Sequence, residues 1–402
     1  MNIKYFQNIL LIFLGIILMN ACKREDILLQ KDGSTGAPTS IMDVVVKNLP
    51  GAAKITYTIP KDPNLLYVKA VYEIQPGIIK ETKSSRYIDT LTVTGFGDTL
   101  EHEVKLYSVG SNDNASEPLV VKVNPLIPPV KSVFKSINLD ATFSGAYVQF
   151  KNPSEADLAL VMLTDSTGNG DWAMAQTYYT ASPEGNFIVR GFDSTKRKFA
   201  VYVRDRWGNK SDTLAKILKP YYEELVDKSK FKEVDLETDT YLGNSWGGVS
   251  ARNMTYLWNN TWNSGNDVFH TKPSDPKMPQ WFTFDMGAKY KLSRFKFYHR
   301  ASPDAYTGAD PEIFEIYGSN DPDTDGGWTN WHLLGQFHSV KPTPGTTVTS
   351  EDLQFACIDG EDFNFPEGLD SYRYLRWKTL KTWGNAQFMF ISELTLWGTP
   401  VN

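Results

Sequence analysis

The chain has 402 residues, of which 41% are hydrophobic and 22% charged, a globular composition with room for roughly two to four domains. Its formal net charge is -6 and no segment carries a basic stripe, which argues against nucleic acid as a partner. Nine of the 11 tryptophans lie between Tyr241 and Gly398, several of them beside Gly, Asn or Ser, where loops form. This concentration predicts a recognition module at the C-terminal end.

At the N terminus, an apolar run from Ile9 to Met19 follows Lys4. It is shorter than the about 20 apolar residues that cross a bilayer, and it fits the core of a secretory signal. The segment LMNAC, which ends at Cys22, resembles a bacterial lipobox. That resemblance implies a signal peptide over residues 1–21, lipidation of Cys22 and a membrane anchor. The alternative is an ordinary signal peptide in which Cys22 is incidental.

Residues 22–38 are polar and contain Gly and Ser, which predicts a flexible tether between the anchor and the first domain. The charged segment Lys23–Asp26 resembles the short tag that directs Bacteroidota lipoproteins to the cell surface. This resemblance implies an outer-membrane lipoprotein that is exposed at the cell surface.

Once Cys22 is lipidated, Cys357 is the only cysteine left, which excludes an intramolecular disulfide and a Cys-based metal site. Cys357 lies in the run LQFACID, which predicts a small buried residue in a strand.

Residues 39–125 consist of short runs that alternate apolar and polar positions, separated by turn residues such as Pro50-Gly51. About seven such strands in about 85 residues predict an immunoglobulin-like sandwich. The run VKLYSVGSNDNASEP, which starts at Val104, resembles the last hairpin of fibronectin type III domains.

The same hairpin returns 95 residues later, after the stiff linker Leu126–Pro129. Tyr107 aligns with Tyr202, and Ser116 aligns with Ser211. Two copies at a domain-sized interval predict a second fibronectin- or immunoglobulin-like sandwich over residues 130–220. In that domain, Trp172 and Trp207 are interpreted as packing residues rather than ligand contacts. Residues 221–235 mix acids and lysines and predict one or two helical turns in a solvated connector.

The remaining segment, residues 235–402, carries an ordered set of motifs. They are WFTFDMG from Trp281, FEIYGSND from Phe314, YLRW from Tyr374 and ISELTLWG from Ile391. Together they resemble discoidin domains, also called coagulation-factor type C domains. The resemblance implies an eight-stranded jelly-roll sandwich of the galactose-binding type, and the whole chain is then all-β.

Alternating positions in these strands predict the core of the module, whereas Asp285 is predicted to be a turn acceptor. The core positions are Trp281, Phe284, Phe295, Phe297, Ile316, Tyr374 and Trp377.

The resemblance also implies a ligand site in loops at one end of the sandwich, built from aromatic residues and an Arg. Sugars present apolar C–H faces and hydroxyl rims, so such a site needs flat aromatic platforms and planar polar groups. For each Trp, the alternative is a partly buried residue that only fills the loop. The candidate ligand-binding residues are Trp246, Trp258, Trp262, His270, Tyr298, Arg300, Tyr306, Trp383 and Asn385.

Many discoidin domains hold a structural calcium ion near this end, and the resemblance implies oxygen ligands from Asn259, Thr261, Asp267 and Glu393. The first Asp of the family's calcium motif is Asn here, and fewer carboxylates mean weaker binding. Otherwise Glu393 is a buried acid bonded to backbone amides of the loop.

Motifs for a nucleophile elbow, a zinc protease or a phosphate loop are lacking in the sequence. A glycosidase needs two opposed carboxylates, and the sequence does not pair Asp304, Asp310 or Glu312. The sequence therefore favours a non-catalytic protein.

The plan resembles the glycan-binding lipoproteins of Bacteroidota polysaccharide-utilisation systems. It implies a lipid-anchored protein that binds oligo- or polysaccharide and works with other outer-membrane glycan-uptake proteins. One alternative is an adhesin or scaffold that binds protein through the same loops. A glycoside hydrolase without recognisable motifs is a third.

Overall fold

The computed structural model describes residues 36–111, 113–165, 167–241, 252–266, 268–271, 277–301 and 304–401. The chain divides into two compact units, the second of which comprises residues 141–146, 190–196 and 218–402. Among the described residues, no helix is both long enough and apolar enough to cross a membrane.

The first N-terminal domain is a sandwich of two antiparallel sheets, with strand orders β1-β2-β5 and β4-β3-β6-β7. Alternating apolar side chains of the two sheets meet in one core, which includes Ile55, Val68, Val93 and Leu106. The strands are β1 Met42–Leu49, β2 Ala52–Thr58, β3 Leu65–Gln75, β4 Ile78–Ser85, β5 Thr90–Thr94, β6 His102–Gly110 and β7 Leu119–Val123.

The second domain repeats this architecture behind a short helix, α1 Pro129–Lys135, which starts with Pro at its first position. Its sheets have the orders β12-β9-β8 and β11-β10-β13-β14. The strands are β8 Asn138–Thr142, β9 Gly145–Lys151, β10 Leu158–Asp165, β11 Ala173–Thr180, β12 Glu184–Arg190, β13 Arg197–Asp205 and β14 Leu214–Leu218.

The hairpin repeat in the sequence is a structural repeat. Ser116 Oγ accepts a hydrogen bond from the Ser108 amide at 3.1 Å, and Ser211 Oγ accepts one from the Val203 amide at 2.9 Å. Each hydroxyl also donates to the carbonyl of the following residue. The predictions of tandem sandwiches and of an all-β chain are therefore confirmed.

The C-terminal module, residues 218–402, is built around one long strand, β18 Gln280–Tyr298. Its first half pairs with β16 and β22, and its second half pairs with β21 and β24. These strands belong to one eight-stranded sheet of order β15-β24-β18-β22-β19-β20, to which β16 and β21 add by pairing with β18. The strands are β15 Glu224–Leu225, β16 Lys232–Val234, β17 Phe269–His270, β18, β19 Pro311–Ser319, β20 His332–His338, β21 Glu361–Asn364, β22 Tyr372–Thr382, β23 Phe390–Ile391 and β24 Glu393–Val401. The helical segments are two 3-10 turns, Lys228–Lys230 and Met254–Trp258, the helix α2 Ser350–Leu353 and the π-helix Gln354–Asp359.

Five of the seven predicted core residues lie in the core of this module: Phe284, Phe295, Phe297, Ile316 and Trp377. The prediction was wrong for Trp281 and Tyr374, which are half-buried on the outer face of the sheet. The reason is the period of two along a strand, because Phe282 and Leu375 take the inward positions beside them. Asp285 accepts a hydrogen bond from the Gly287 amide at 2.7 Å, which confirms the predicted turn acceptor.

Two further predictions were wrong. Residues 221–235 contain one predicted helical turn, the 3-10 turn Lys228–Lys230, but they are not a solvated connector, because β15 and β16 pair with the sheet of the module and Lys228 is buried. The sheet therefore begins before residue 235. Cys357 is buried as predicted, but it lies in the π-helix rather than in a strand.

Candidate functional site

Most of the candidate residues that the structure describes lie near Tyr298, where β18 ends, whereas Trp258 packs against Phe284 in the first half of that strand. Trp246 and Asp267, like Cys22, fall outside the described residues. At the end of β18 the backbone alternation separates the candidates into two groups. Tyr298 and Arg300 contact the loop that carries Trp262, whereas His299 between them contacts Glu361. The sequence-based candidates therefore occupy two different environments.

Trp262 is the most exposed of the described candidate aromatics, with 40% of its surface accessible. Its ring lies 5.0 Å from that of the buried Tyr298, at an interplanar angle of 32°. The Trp262 indole is thus supported on one side and open to solvent on another. That is the arrangement of an aromatic platform.

Arg300 joins two loops beside this platform. Its Nε donates to the Gly265 carbonyl at 2.7 Å, and its Nη1 lies 3.1 Å from Asp304 Oδ2. Its guanidinium stands 5.0 Å from the centroid of the Phe390 ring. The side chain keeps 22% exposure, and Nη2 has no hydrogen-bond partner within the described part of the chain. A fixed Arg with a free edge can bind paired hydroxyls or a carboxylate.

Asn385 belongs to a third loop at the same end. The Gly384 amide donates to the Gly308 carbonyl at 2.6 Å, which ties this loop to the one that follows Asp304. Asn385 is exposed and adopts a φ of 54°, a left-handed conformation that Asn tolerates better than most residues. We call Trp262, Tyr298, Arg300, Asp304 and Asn385 the Arg300 surface.

His270 lies beneath this surface rather than on it. It is 7% exposed, and its ring stacks on Phe388 at 4.9 Å and also contacts Phe390. Burial lowers the pKa of His270 to about 4, so the imidazole is neutral at pH 7. His270 thus packs against Phe390, the ring that the Arg300 guanidinium faces.

The second group surrounds the buried His299. Tyr306 is 5% exposed and its hydroxyl donates to Glu361 Oε1 at 2.8 Å, while Trp383 Nε1 donates to Ser339 Oγ at 3.0 Å. The two aromatic rings meet edge to face at 5.0 Å. The structure therefore places Tyr306 and Trp383 in a buried network that we call the His299 cluster: His299, Tyr306, Asp310, Ser339, Glu361 and Trp383.

His299 is the charged centre of this cluster. Nε2 lies 2.8 Å from Glu361 Oε1, and Nδ1 lies 3.6 Å from Asp310 Oδ2. Burial alone would lower the pKa of His299, but the two carboxylates outweigh it and raise the pKa to about 9. Asp310 also accepts the Arg300 amide at 2.9 Å, so the cluster fixes the backbone from which Arg300 projects.

His299 and Glu361 were not candidate site residues in the sequence, and Asp310 was considered only as an acid that the sequence does not pair. The alternation of the strand that ends in Tyr298-His299-Arg300 carries a usable signal, because it points His299 inward when Tyr298 and Arg300 point outward. The pairing of His299 with Asp310 and Glu361 has no comparable sequence signal.

Trp258 takes a core position. Its ring lies 5.6 Å from Phe231 and 5.7 Å from Phe284, both of which belong to the core of the module. Trp258 therefore matches the alternative given for each Trp, a partly buried residue that fills the loop and does not bind ligand.

The residues proposed for calcium surround an ion pair. Glu393 is fully buried, and its Oε1 accepts hydrogen bonds from Lys228 Nζ and from the Asn260 amide, the latter at 3.2 Å. Asn259 Oδ1 accepts the Thr261 amide at 2.8 Å. In the described residues no group of three or more His, Cys, Asp or Glu side chains could hold a metal ion. Of the three proposed ligands that the structure describes, only Glu393 is a carboxylate and it is already paired with Lys228, so these three do not by themselves fit calcium, which takes six to eight oxygen ligands.

Burial has the largest effect on the pKa values of both Glu393 and Lys228. It raises the pKa of Glu393 to about 7, against the opposing effects of Lys228 and of the Asn259 and Asn260 amides. It also lowers the pKa of Lys228, which Glu393 opposes.

Three family models match the chain, each described as a domain of unknown function. DUF4959 covers residues 38–125, DUF5126 covers 126–229 and DUF5000 covers 258–398. No curated protein matches.

Solved structures give further matches. A SusE-like protein of Bacteroides is 31% identical, and the match covers 68% of this chain and 100% of that chain at a TM-score of 0.43. The C-terminal domain of a chitobiase from Bacteroides fragilis is 21% identical, and the match covers 44% of this chain and 100% of that domain at a TM-score of 0.31. A family 32 CBM from Clostridium perfringens NanJ, in complex with galactose, is 14% identical. This match covers 44% of this chain and 98% of that chain at a TM-score of 0.30. The last two likenesses are too distant to carry a functional argument.

Proposed function

This chain belongs to the family of the SusE-like protein, with which it is 31% identical over the whole of that protein, and we propose that it is a non-catalytic glycan-binding protein. The C-terminal module captures an oligo- or polysaccharide at the Arg300 surface. The two N-terminal sandwiches are spacers between that module and the cell.

The observation that carries this proposal is Trp262. A Trp that is 40% exposed and rests on a buried Tyr loses little conformational entropy when a ligand stacks on it. A sugar ring offers the matching apolar C–H face. Arg300 and Asn385 lie on neighbouring loops and supply planar groups for hydroxyls or for a carboxylate.

The carboxylates of this end support binding rather than hydrolysis. Asp310 and Glu361 are buried and bonded to His299, and Asp304 is paired with Arg300. A glycosidase needs two carboxylates that face the substrate across a cleft.

In this proposal the chain is a lipoprotein of the outer membrane, anchored through Cys22 and exposed at the surface, where it hands glycans to other outer-membrane uptake proteins. The SusE-like relative and the lipobox-like segment LMNAC support this location. The test is labelling with a fatty-acid probe. A Cys22→Ala variant is expected to lose both the label and membrane retention, and retention without Cys22 would contradict the anchor.

The function is tested by glycan arrays and affinity gels with the wild-type chain, Trp262→Ala and Arg300→Ala. Each substitution is expected to weaken binding roughly tenfold to thirtyfold, the loss expected when one central Trp or Arg contact is removed. Trp172→Ala is the matched control, because Trp172 is 41% exposed but lies in the second sandwich.

Binding that survives both substitutions would contradict this site. If no glycan binds and an outer-membrane protein does, the protein-binding alternative replaces the proposal. Release of product from any oligosaccharide would contradict the non-catalytic assignment.

A further inference from the structure

We propose that the ammonium group of Lys228 is the cation that holds the loop Asn259–Trp262 in place, and that it does so instead of the calcium ion that the resemblance to discoidin domains implies. Lys228 is then a positioning residue for Trp262, and the order of the loop is independent of calcium. This inference goes beyond glycan binding and does not rest on it.

The buried carboxylate of Glu393 needs a positive charge beside it. Glu393 has no exposed surface, and a buried carboxylate without a counter-charge is strongly unfavourable. Lys228 Nζ bonds to Glu393 Oε1 and, at 2.9 Å, to Thr395 Oγ1. The Lys228 side chain is itself only 7% exposed. The positive charge next to Glu393 is thus supplied by the protein.

The second step is that Lys228 is held in position. It starts a 3-10 turn whose N-cap, Asp227, accepts the Ser229 amide, and the Phe231 amide closes the turn on the Lys228 carbonyl at 3.1 Å. Strands β15 and β16 fix both sides of this turn to the sheet. The ammonium therefore needs little reorganisation to meet Glu393.

The third step connects the ion pair to the recognition loop. The Asn260 amide donates to the same Glu393 oxygen at 3.2 Å. Two residues later, Trp262 lies on Tyr298, which is the direct cross-strand partner of Glu393. Loss of the charge on Lys228 would leave Glu393 without its counter-ion and release the amide that anchors the loop.

The fourth step concerns calcium itself. A divalent cation at Glu393 would face the Lys228 ammonium at close range, and like charges repel. Asn259 Oδ1 is already used by the Thr261 amide. The residues that the sequence offered for calcium are therefore arranged for an ammonium ion, with Asp267 outside the described residues.

Hydrogen–deuterium exchange of the full chain tests the proposal without any glycan. In the wild type, exchange in the peptide around Asn260 is expected to be the same in excess calcium chloride and in excess EDTA. In Lys228→Ala the same peptide should exchange about tenfold faster, as expected when one charge-assisted hydrogen bond is lost. Propylammonium, which replaces the missing side chain, should restore protection, and propanol should not.

Lys230→Ala is the control, because Lys230 lies in the same turn but its side chain is 56% exposed and pairs with the exposed Asp227 rather than with Glu393. It is expected to leave the exchange unchanged. Faster exchange of the wild type in EDTA would overturn the proposal, and so would unchanged exchange in Lys228→Ala.

Should Lys228→Ala not fold, the double variant Lys228→Met/Glu393→Gln removes both charges at once. Folded protein in which the Asn260 amide exchanges faster than in the wild type supports the proposal, because the ammonium is gone although no unpaired charge remains buried. A folded double variant whose Asn260 amide is as protected as in the wild type would contradict it. None of these measurements involves a sugar, so their outcome does not depend on whether the chain binds a glycan.

Discussion

Lys228 and Glu393 form a buried ion pair although 165 residues separate them in the chain. The pair joins the segment that enters the C-terminal module to the strand that closes it. Residues 224–234 are consequently part of the module, both through this ion pair and through β15 and β16.

This arrangement predicts how the module responds to truncation. A fragment of residues 235–402 lacks Lys228 and leaves Glu393 buried without its partner. This fragment also lacks β15 and β16, so we expect its free energy of unfolding to be lower than that of a fragment of residues 218–402 by more than the about 3 to 5 kcal/mol that breaking a buried ion pair costs. Urea denaturation of both fragments measures the difference, and equal stabilities would contradict the inclusion of residues 218–234 in the module.

The His299 cluster predicts a pH dependence on the alkaline side. The folded-state pKa of His299 is raised to about 9 from an ordinary value of 6.5, so the folded state keeps a proton that the unfolded state releases. Its contribution is complete below about pH 6.5 and is lost as the pH rises through about 9, on the order of 3 kcal/mol in total.

The measurement is the free energy of unfolding between pH 6 and pH 10 for the wild type and for His299→Gln. The variant is expected to be less stable at pH 6 and to lose less stability as the pH rises. Equal slopes for the two proteins would show that His299 does not carry the charge.

A side chain at position 384 is expected to displace the loop that carries Asn385. A Cβ at this position would meet the carbonyl oxygens of Thr307 and Gly308, the latter at 2.8 Å, which are backbone atoms that cannot turn away. We expect Gly384→Ala to push the Asn385 loop off its neighbour and to weaken glycan binding severalfold. The control is Gly36→Ala, because nothing lies within 4 Å of a Cβ there, its backbone needs no positive φ and it lies outside the C-terminal module. Equal affinities for the two variants would contradict this account.

Much of the fold could be predicted from the sequence because its signals are local. Period-two alternation located the strands, and the 95-residue repeat located two equivalent hairpins whose Ser116 and Ser211 bonds now explain the repeat. The same alternation was misread at Trp281 and Tyr374, where the motif was taken as core although Phe282 and Leu375 hold the inward positions.

The site was only partly predictable, because its decisive contacts are long-range. Trp262, Tyr298 and Arg300 lie together in the structure, but the sequence does not separate them from Tyr306 and Trp383, which lie on the other side of the strand end. Nothing near Lys228 in the chain indicates that it meets Glu393. A lysine among acids in a short polar segment has the pattern of a solvated residue, and only the pairing of β15 and β16 buries it.

The central claim is that glycan binds at the Arg300 surface, and hydroxyl-radical footprinting of Trp262 tests it most directly. Trp262 and Trp172 are 40% and 41% exposed, so both are expected to oxidise at similar rates in the free chain. With a saturating oligosaccharide identified on the array, oxidation of Trp262 should fall about fivefold or more while that of Trp172 stays constant. Unchanged oxidation of Trp262 in the presence of a bound glycan would contradict the account.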